Sequence, residues 1–226
     1  MTLFNPYNQN EKTIFRWDSS NWSQTLQLWK KSLDYSFDGL KVLEVGSGDG
    51  SLSIWICNLG GDVICSDLSY TNEKINTIKR QINNVDKIKF EKIDVLNIPY
   101  TNYFDIILFK SVLGGLRSQE NQELAFEQIY KALKLDGKLF FCENMKSTFL
   151  HQYFRSKKPW GHYWRYPSFT ELINMSKQFR KIQYDTYGFI GAGDFPLKTF
   201  RVNLDYFSKL LIPADWFYIF AGVYQK

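Results

Sequence analysis

The chain has 226 residues, of which 44% are hydrophobic and 23% charged, with a formal net charge of +5. These proportions exclude a disordered or low-complexity polymer and fit one globular domain, 1–226, large enough for a substantial core. No apolar run is long enough for a membrane span, the first residues lack a basic-then-apolar leader, and Cys57, Cys65 and Cys142 show no C-x-x-C spacing, so buried thiols and a cytoplasmic location are expected.

Residues 1–18 carry no periodic pattern. Ser19 or Ser20 can cap a helix beginning near Asn21, which sets Trp22, Leu26, Trp29 and Leu33 on one side. Residues 1–38 thus read as a helical cover ahead of a first strand over 39–45. Strand and helix then alternate: helix 50–59, strand 62–66, helix 71–82, strands 88–93 and 104–109, helix 119–134, strand 137–143. Such alternation predicts a mostly parallel sheet with right-handed crossovers. Ser168 and Glu171 form a capping box for a helix over 168–179, and a strand over 181–187 follows. The almost continuously apolar stretch 215–224 is expected as a last strand in the interior of the sheet's far half. Between these strands, 188–213 is too long for a hairpin and reads as an insertion with a helix near 201–211.

The chemistry concentrates where the first strand, Lys41-Val-Leu-Glu-Val45, breaks into Gly46-Ser-Gly-Asp-Gly50. A strand, a tight turn and a helix start form the place where an open α/β sheet receives a nucleotide-like ligand. The dinucleotide fingerprint is G-x-G-x-x-G, whereas here the spacing is G-x-G-x-G and Glu44 stands two residues before the first glycine. A carboxylate there repels a diphosphate and suits an ammonium or a sulfonium. Asp67 lies 23 residues beyond Glu44, where an acid can accept from both ribose hydroxyls, and Asp94 at the next strand tip could accept from an adenine amino group.

With Glu44-Val-Gly-Ser-Gly-Asp-Gly50, Ser66-Asp67-Leu68, Ile93-Asp94-Val95, Phe104-Asp-Ile-Ile-Leu-Phe109 and Leu135-Asp-Gly-Lys-Leu-Phe-Phe141 in this order, the chain resembles the class I, Rossmann-like S-adenosylmethionine-dependent methyltransferases. The resemblance implies a three-layer α/β sandwich with a mostly parallel seven-stranded sheet and an antiparallel last strand. It also implies S-adenosyl-L-methionine as cofactor, a cofactor-binding half over 40–143 and an acceptor-side half over 144–226. The implied cofactor residues are Glu44, Gly46, Ser47, Gly48, Gly50, Asp67, Leu68, Asp94 and Val95, with Lys110 and Ser111 after the fourth strand. The absence of a polar–Pro–Pro–aromatic sequence at Phe109–Gly115 argues against adenine methylation, and the absence of a Pro-Cys pair argues against cytosine carbon-5 methylation.

Asp18-x-x-Asn21-Trp-Ser23, the 109–115 segment and Trp164-Arg-Tyr166 are similar to methyltransferases of bacterial capsule and O-antigen polysaccharide clusters, which implies O-methylation of a sugar or sugar-linked group. From Lys146 to Thr170 there is no acid, while Arg155, Lys157 and Arg165 are basic, so an anionic small-molecule or glycan acceptor is favoured, with Trp164 available to stack on it. His151 and His162 are the two histidines and the candidates for a general base. No His/Cys cluster has metal spacing, so no metal is implied. Another small metabolite or RNA remains open as acceptor, although no RNA-binding module is visible. A cofactor-binding scaffold without activity is a further alternative. The sequence leaves the oligomeric state open.

Overall fold

The computed structural model describes residues 14–15, 18–33, 37–159, 163–189 and 207–226. Two short helices, α1 (Ser19–Trp22) and α2 (Thr25–Ser32), precede β1 (Lys41–Val45). The alternation continues through α3 (Ser51–Asn58), β2 (Asp62–Ser66), α4 (Asn72–Lys79) and β3 (Ile88–Glu91). After these come β4 (Phe104–Lys110), α5 (Gln119–Ala132) and β5 (Leu133–Asn144). The chain then forms α6 (Phe149–Ser156), α7 (Phe169–Met175), β6 (Lys181–Tyr187) and β7 (Ile219–Gln225). Among the described residues the sheet has seven strands in the order β3-β2-β1-β4-β5-β7-β6. Neighbours from β3 to β5 are parallel, and β7 runs antiparallel to both β5 and β6.

Alternate residues of each strand feed two cores. On one face Val42, Val63, Ile106 and Phe140 pack with Trp22, Trp29, Trp55 and Ile78. On the other, Leu43, Ile107 and Phe141 pack with Phe126, Ile129 and Leu172. Burial of both faces explains why these strands read as nearly unbroken apolar runs. The result is the three-layer α/β sandwich, with the antiparallel last strand inside the sheet's far half.

Several boundaries differ from the sequence reading. The N-terminal helix is broken, because the Thr25 hydroxyl donates to the Trp22 carbonyl at 2.7 Å and ends α1 there. β5 begins at Leu133 rather than 137, its pairing with β4 shifting register between Phe104 and Ile106. β7 begins at Ile219, four residues late, since Ala214–Trp216 winds into a 3₁₀ turn behind Pro213. Helix α6 has no counterpart among the expected elements, although Phe149, Leu150, Tyr153 and Phe154 recur at helical spacing within the basic stretch. Most of the expected insertion, together with His162, lies outside the described residues.

Candidate active site

The loop after β1 sits at the carboxyl end of the sheet beside β2 and β4. Gly48 adopts φ +57° and a Cβ there would meet nothing within 4 Å, so the loop leaves open space above it. Gly50, at φ +71°, is closed in instead, since a Cβ would stand 2.9 Å from Ile78 Cδ1 of α4. The loop's amides face inward. Ser47 N donates to the Ser66 carbonyl (2.9 Å), Gly48 N to Asp67 Oδ2 (2.8 Å), Gly50 N to the Ser47 carbonyl (2.8 Å) and Ser51 N to Asp49 Oδ1 (3.1 Å). A diphosphate cradle turns such amides toward its ligand. Here they are engaged, and the carboxyl groups of Glu44, Asp49 and Asp67 surround the same turn.

Glu44 is buried on β1 and accepts from the amide (2.8 Å) and the hydroxyl of Ser53 on α3. Burial pushes its carboxyl up to about 8 despite those bonds. Lys110, at the end of β4, is close enough to influence it, and lies 5.1 Å over the Phe15 ring and 5.3 Å over that of Trp22. Burial lowers the Lys110 ammonium's pKa. Asp67 follows β2; burial would raise it, but bonds from the Ser69 hydroxyl (2.6 Å), the Ser69 amide (2.8 Å) and the Gly48 amide hold it below the usual range. The segment after β3 is tied to β2 where Ile93 N donates to Ser66 Oγ at 3.1 Å. Asp94 comes next, exposed, accepting from Leu96 N at 2.9 Å. Three neighbouring strand ends thereby carry Glu44, Asp67 and Asp94 on one rim, with Leu68 exposed and Val95 buried beside them.

Two of the expected cofactor residues are turned into the protein. Ser47 Oγ donates to the Ser66 carbonyl at 3.0 Å and contacts Tyr70 Oη, while Ser111 Oγ accepts from Asn144 Nδ2 at 2.9 Å.

The residues expected on the acceptor side differ in how they are held. Arg155 on α6 is held against Met145 O, stacks 4.3 Å over Tyr166 and 5.6 Å over Tyr218, and leaves Nη2 buried with no partner. His151, one turn earlier, lies 5.5 Å from the Tyr218 ring; its Nδ1 meets Ser147 Oγ (2.8 Å) and Thr148 Oγ1 (3.0 Å). Burial first, then Arg155, pushes His151 down to about 4. Of the others, Lys157 is exposed over Tyr153, Trp164 packs on Gly114 and lies 6.3 Å from the Tyr166 ring, and Arg165 is clamped by Glu171, Gln122 and Gln119. The Arg165 clamp fixes α5 against α7, which accounts for its charge without any ligand.

Sequence reasoning passed over Glu143 and Tyr218. Glu143 is fully buried at the end of β5 and accepts from Val112 N and Leu113 N at 2.7 Å each and from Asn144 N at 2.8 Å. Burial raises it to about 7. An acid closing the apolar run Leu139-Phe-Phe-Cys142 is its available signal. Tyr218 receives Asn21 Nδ2 at 3.3 Å and donates to Asp18, a link across 200 residues that no local pattern announces. Asn21 Oδ1 and Asn144 Oδ1, both buried, lack partners among the described residues.

A family model described as a methyltransferase domain matches residues 36–184. The chain belongs to this methyltransferase family. Demethylmenaquinone methyltransferase of Lactobacillus johnsonii is 27% identical over 177 residues, covering 73% of this chain and 68% of that protein. The ubiquinone/menaquinone biosynthesis C-methyltransferase UbiE of a Shewanella species is 29% identical over 113 residues, 48% of this methyltransferase and 44% of UbiE. Among solved structures, Haemonchus contortus phosphoethanolamine N-methyltransferase 2 in complex with S-adenosyl-L-methionine superposes with TM-score 0.63 at 16% identity, over 91% of this chain and 52% of that one. The N-methyltransferase NodS of Bradyrhizobium japonicum gives TM-score 0.60 at 15% identity, over 90% and 93%. This methyltransferase thus spans about half the length of UbiE and of the Haemonchus enzyme, and the solved structures share its fold.

Proposed function

We propose that this methyltransferase uses S-adenosyl-L-methionine to methylate a hydroxyl on a small, anionic acceptor, a sugar or sugar-linked group of surface polysaccharide, in the cytoplasm. The observation that carries the donor assignment is the loop whose Gly48 amide is bound by Asp67 instead of facing a phosphate, with open space above Gly48. The residues fit the donor: a buried carboxylate at Glu44 favours positive charge, and Asp67 retains lone pairs for ribose hydroxyls. Asp94 and Val95 would border the adenine, Leu68 the ribose, and Gly46, Gly50 and Lys110 the methionine end, while Ser47 and Ser111, turned into the protein, would hold the loops around it. When bound, the donor supplies a methyl group made electrophilic by sulfonium charge.

The remaining residues serve the acceptor half, 144–226. Arg155, with a free buried N–H, binds an anionic group, and Tyr166 and Tyr218 hold its guanidinium plane. His151 is neutral at working pH, its Nδ1 fixed by Ser147 and Thr148, so Nε2 accepts the acceptor's hydroxyl proton. A base of such low pKa is a weak one, which leaves most of the acceleration to alignment of acceptor and methyl group. Glu143 has a better-matched pKa, yet three backbone amides occupy its oxygens and it acts by fixing the loop after β4.

A second reading is carbon methylation of a quinone precursor, favoured by the names of the curated relatives. Thermal melts with S-adenosylmethionine, S-adenosylhomocysteine and NADH test the donor: the first two should stabilise the protein and NADH should not. Incubation with radiolabelled donor and either nucleotide sugars or demethylmenaquinone then separates the acceptors, label in the quinone overturning the sugar reading.

A further inference from the structure

We infer that α6, with the chain entering β7, forms a docking surface for an anionic lipid bilayer. An ordinary surface helix turns its apolar side inward. In α6 the order is reversed. His151 and Arg155, four residues apart, are its half-buried positions and meet Tyr218, whereas Phe149, Leu150, Tyr153 and Phe154 face solvent. Phe149 is 76% and Phe154 65% exposed, and no residue of the helix is buried.

A second apolar rim adjoins the first. Asn144 at the end of β5 pairs with Ile219 at the start of β7, and Ser147 Oγ donates to the Trp216 carbonyl at 2.6 Å. Trp216 is exposed, and Leu210 and Leu211 on the same approach to β7 are exposed by 81% and 89%. Single exposed apolar residues are ordinary, but aromatics and leucines gathered on adjoining segments mark an interaction surface.

Charge decides what covers it. Lys146 precedes α6 and Lys157 and Lys158 follow it, all exposed, in a stretch from 146 to 170 that contains no acid. The Lys157 ammonium lies 5.1 Å over the Tyr153 ring, so its stem follows the apolar face while its charge stays at the edge. Asp215, beside Trp216, opposes this excess, and Lys209 is paired with Asp185. A second copy of the chain docked face to face would set lysines against lysines. An anionic bilayer receives both parts of the surface, rings and leucines at the headgroup–acyl boundary and ammonium groups at lipid phosphate. The acceptor-side His151 and Arg155 would then lie about one helix diameter, ~10 Å, from the lipid.

Co-sedimentation of the full chain with phosphatidylglycerol-containing vesicles, against phosphatidylcholine alone, tests the proposal. Binding should require the anionic lipid and weaken with salt. The double variant F149S/F154S should lower partitioning at least about tenfold, and K157E/K158E by about tenfold or more. Both variants should melt near the wild-type temperature, since these side chains are largely exposed. Absent binding to anionic vesicles, or equal binding by F149S/F154S, overturns the proposal. So does a wild-type dimer in sedimentation velocity that F149S/F154S converts to monomer. Stabilisation by S-adenosylhomocysteine, measured in parallel, distinguishes failure of this docking surface from failure of the donor assignment.

Discussion

Glu44 offers the sharpest handle on donor binding, because its protonation and its proposed role conflict at neutral pH. Burial raises its carboxyl to about 8 in the ligand-free protein. At pH 7 the site therefore holds about 0.9 proton. The donor's sulfonium and ammonium favour the carboxylate, so binding should expel that proton. If only the ionised form binds, lowering the pH from 7.5 to 5.5 weakens apparent affinity by about 80-fold. The sign for stability is opposite: a folded pKa above the unfolded value makes the ligand-free fold less stable as pH rises from about 4.5 through 8. Isothermal titration with S-adenosylhomocysteine over this range, in two buffers of different ionisation enthalpy, reads both affinity and proton release. Glu44→Gln keeps an acceptor for Ser53 and should abolish the slope and the released proton. A wild-type affinity independent of pH, or an unchanged slope in Glu44→Gln, would refute the role of Glu44.

Glycine substitutions should separate fold from function. Gly50→Ala combines a left-handed backbone with a 2.9 Å clash on Ile78 and should cost about 2–4 kcal/mol, a fall in Tm of about 5–15 °C by calorimetry. Gly48→Ala meets open space, so it should cost about 1 kcal/mol yet weaken donor binding at least about tenfold, because its methyl enters the cradle. With the donor saturating, kcat/KM for the acceptor should hold down to an acid limb near pH 4, where His151 protonates, and Arg155→Met should move that limb upward. His151→Asn should lower kcat by about 10- to 100-fold, the low end for a general base, with donor affinity unchanged. Glu143→Ala orphans the amides of Val112 and Leu113 and should destabilise the protein by about 2–4 kcal/mol in denaturant melts.

What the sequence made legible follows the range of the interactions involved. β1, the glycine turn and α3 are written in adjacent residues, and the capping box of Ser168 and Glu171 forms as its spacing predicts. The interior place of β7 could be read because it is apolar on both sides, whereas its antiparallel direction came with the family resemblance. Helix α6 is written in the helical spacing of Phe149, Leu150, Tyr153 and Phe154, but that this face turns outward is decided only by the tertiary fold. Tyr218, Asp18 and Asn21 meet only through the tertiary fold, and Arg165 looked like an acceptor ligand because its partner Glu171, six residues on, was already engaged in the reading as a cap.

The most direct measurement is a crystal structure with S-adenosylhomocysteine bound. The ribose should sit on the Asp67 carboxylate above Gly48, with the amino-acid end toward Glu44 and the adenine beside Asp94. A ligand lodged away from the ends of β1 and β2, or a ribose without contact to Asp67, would contradict the account.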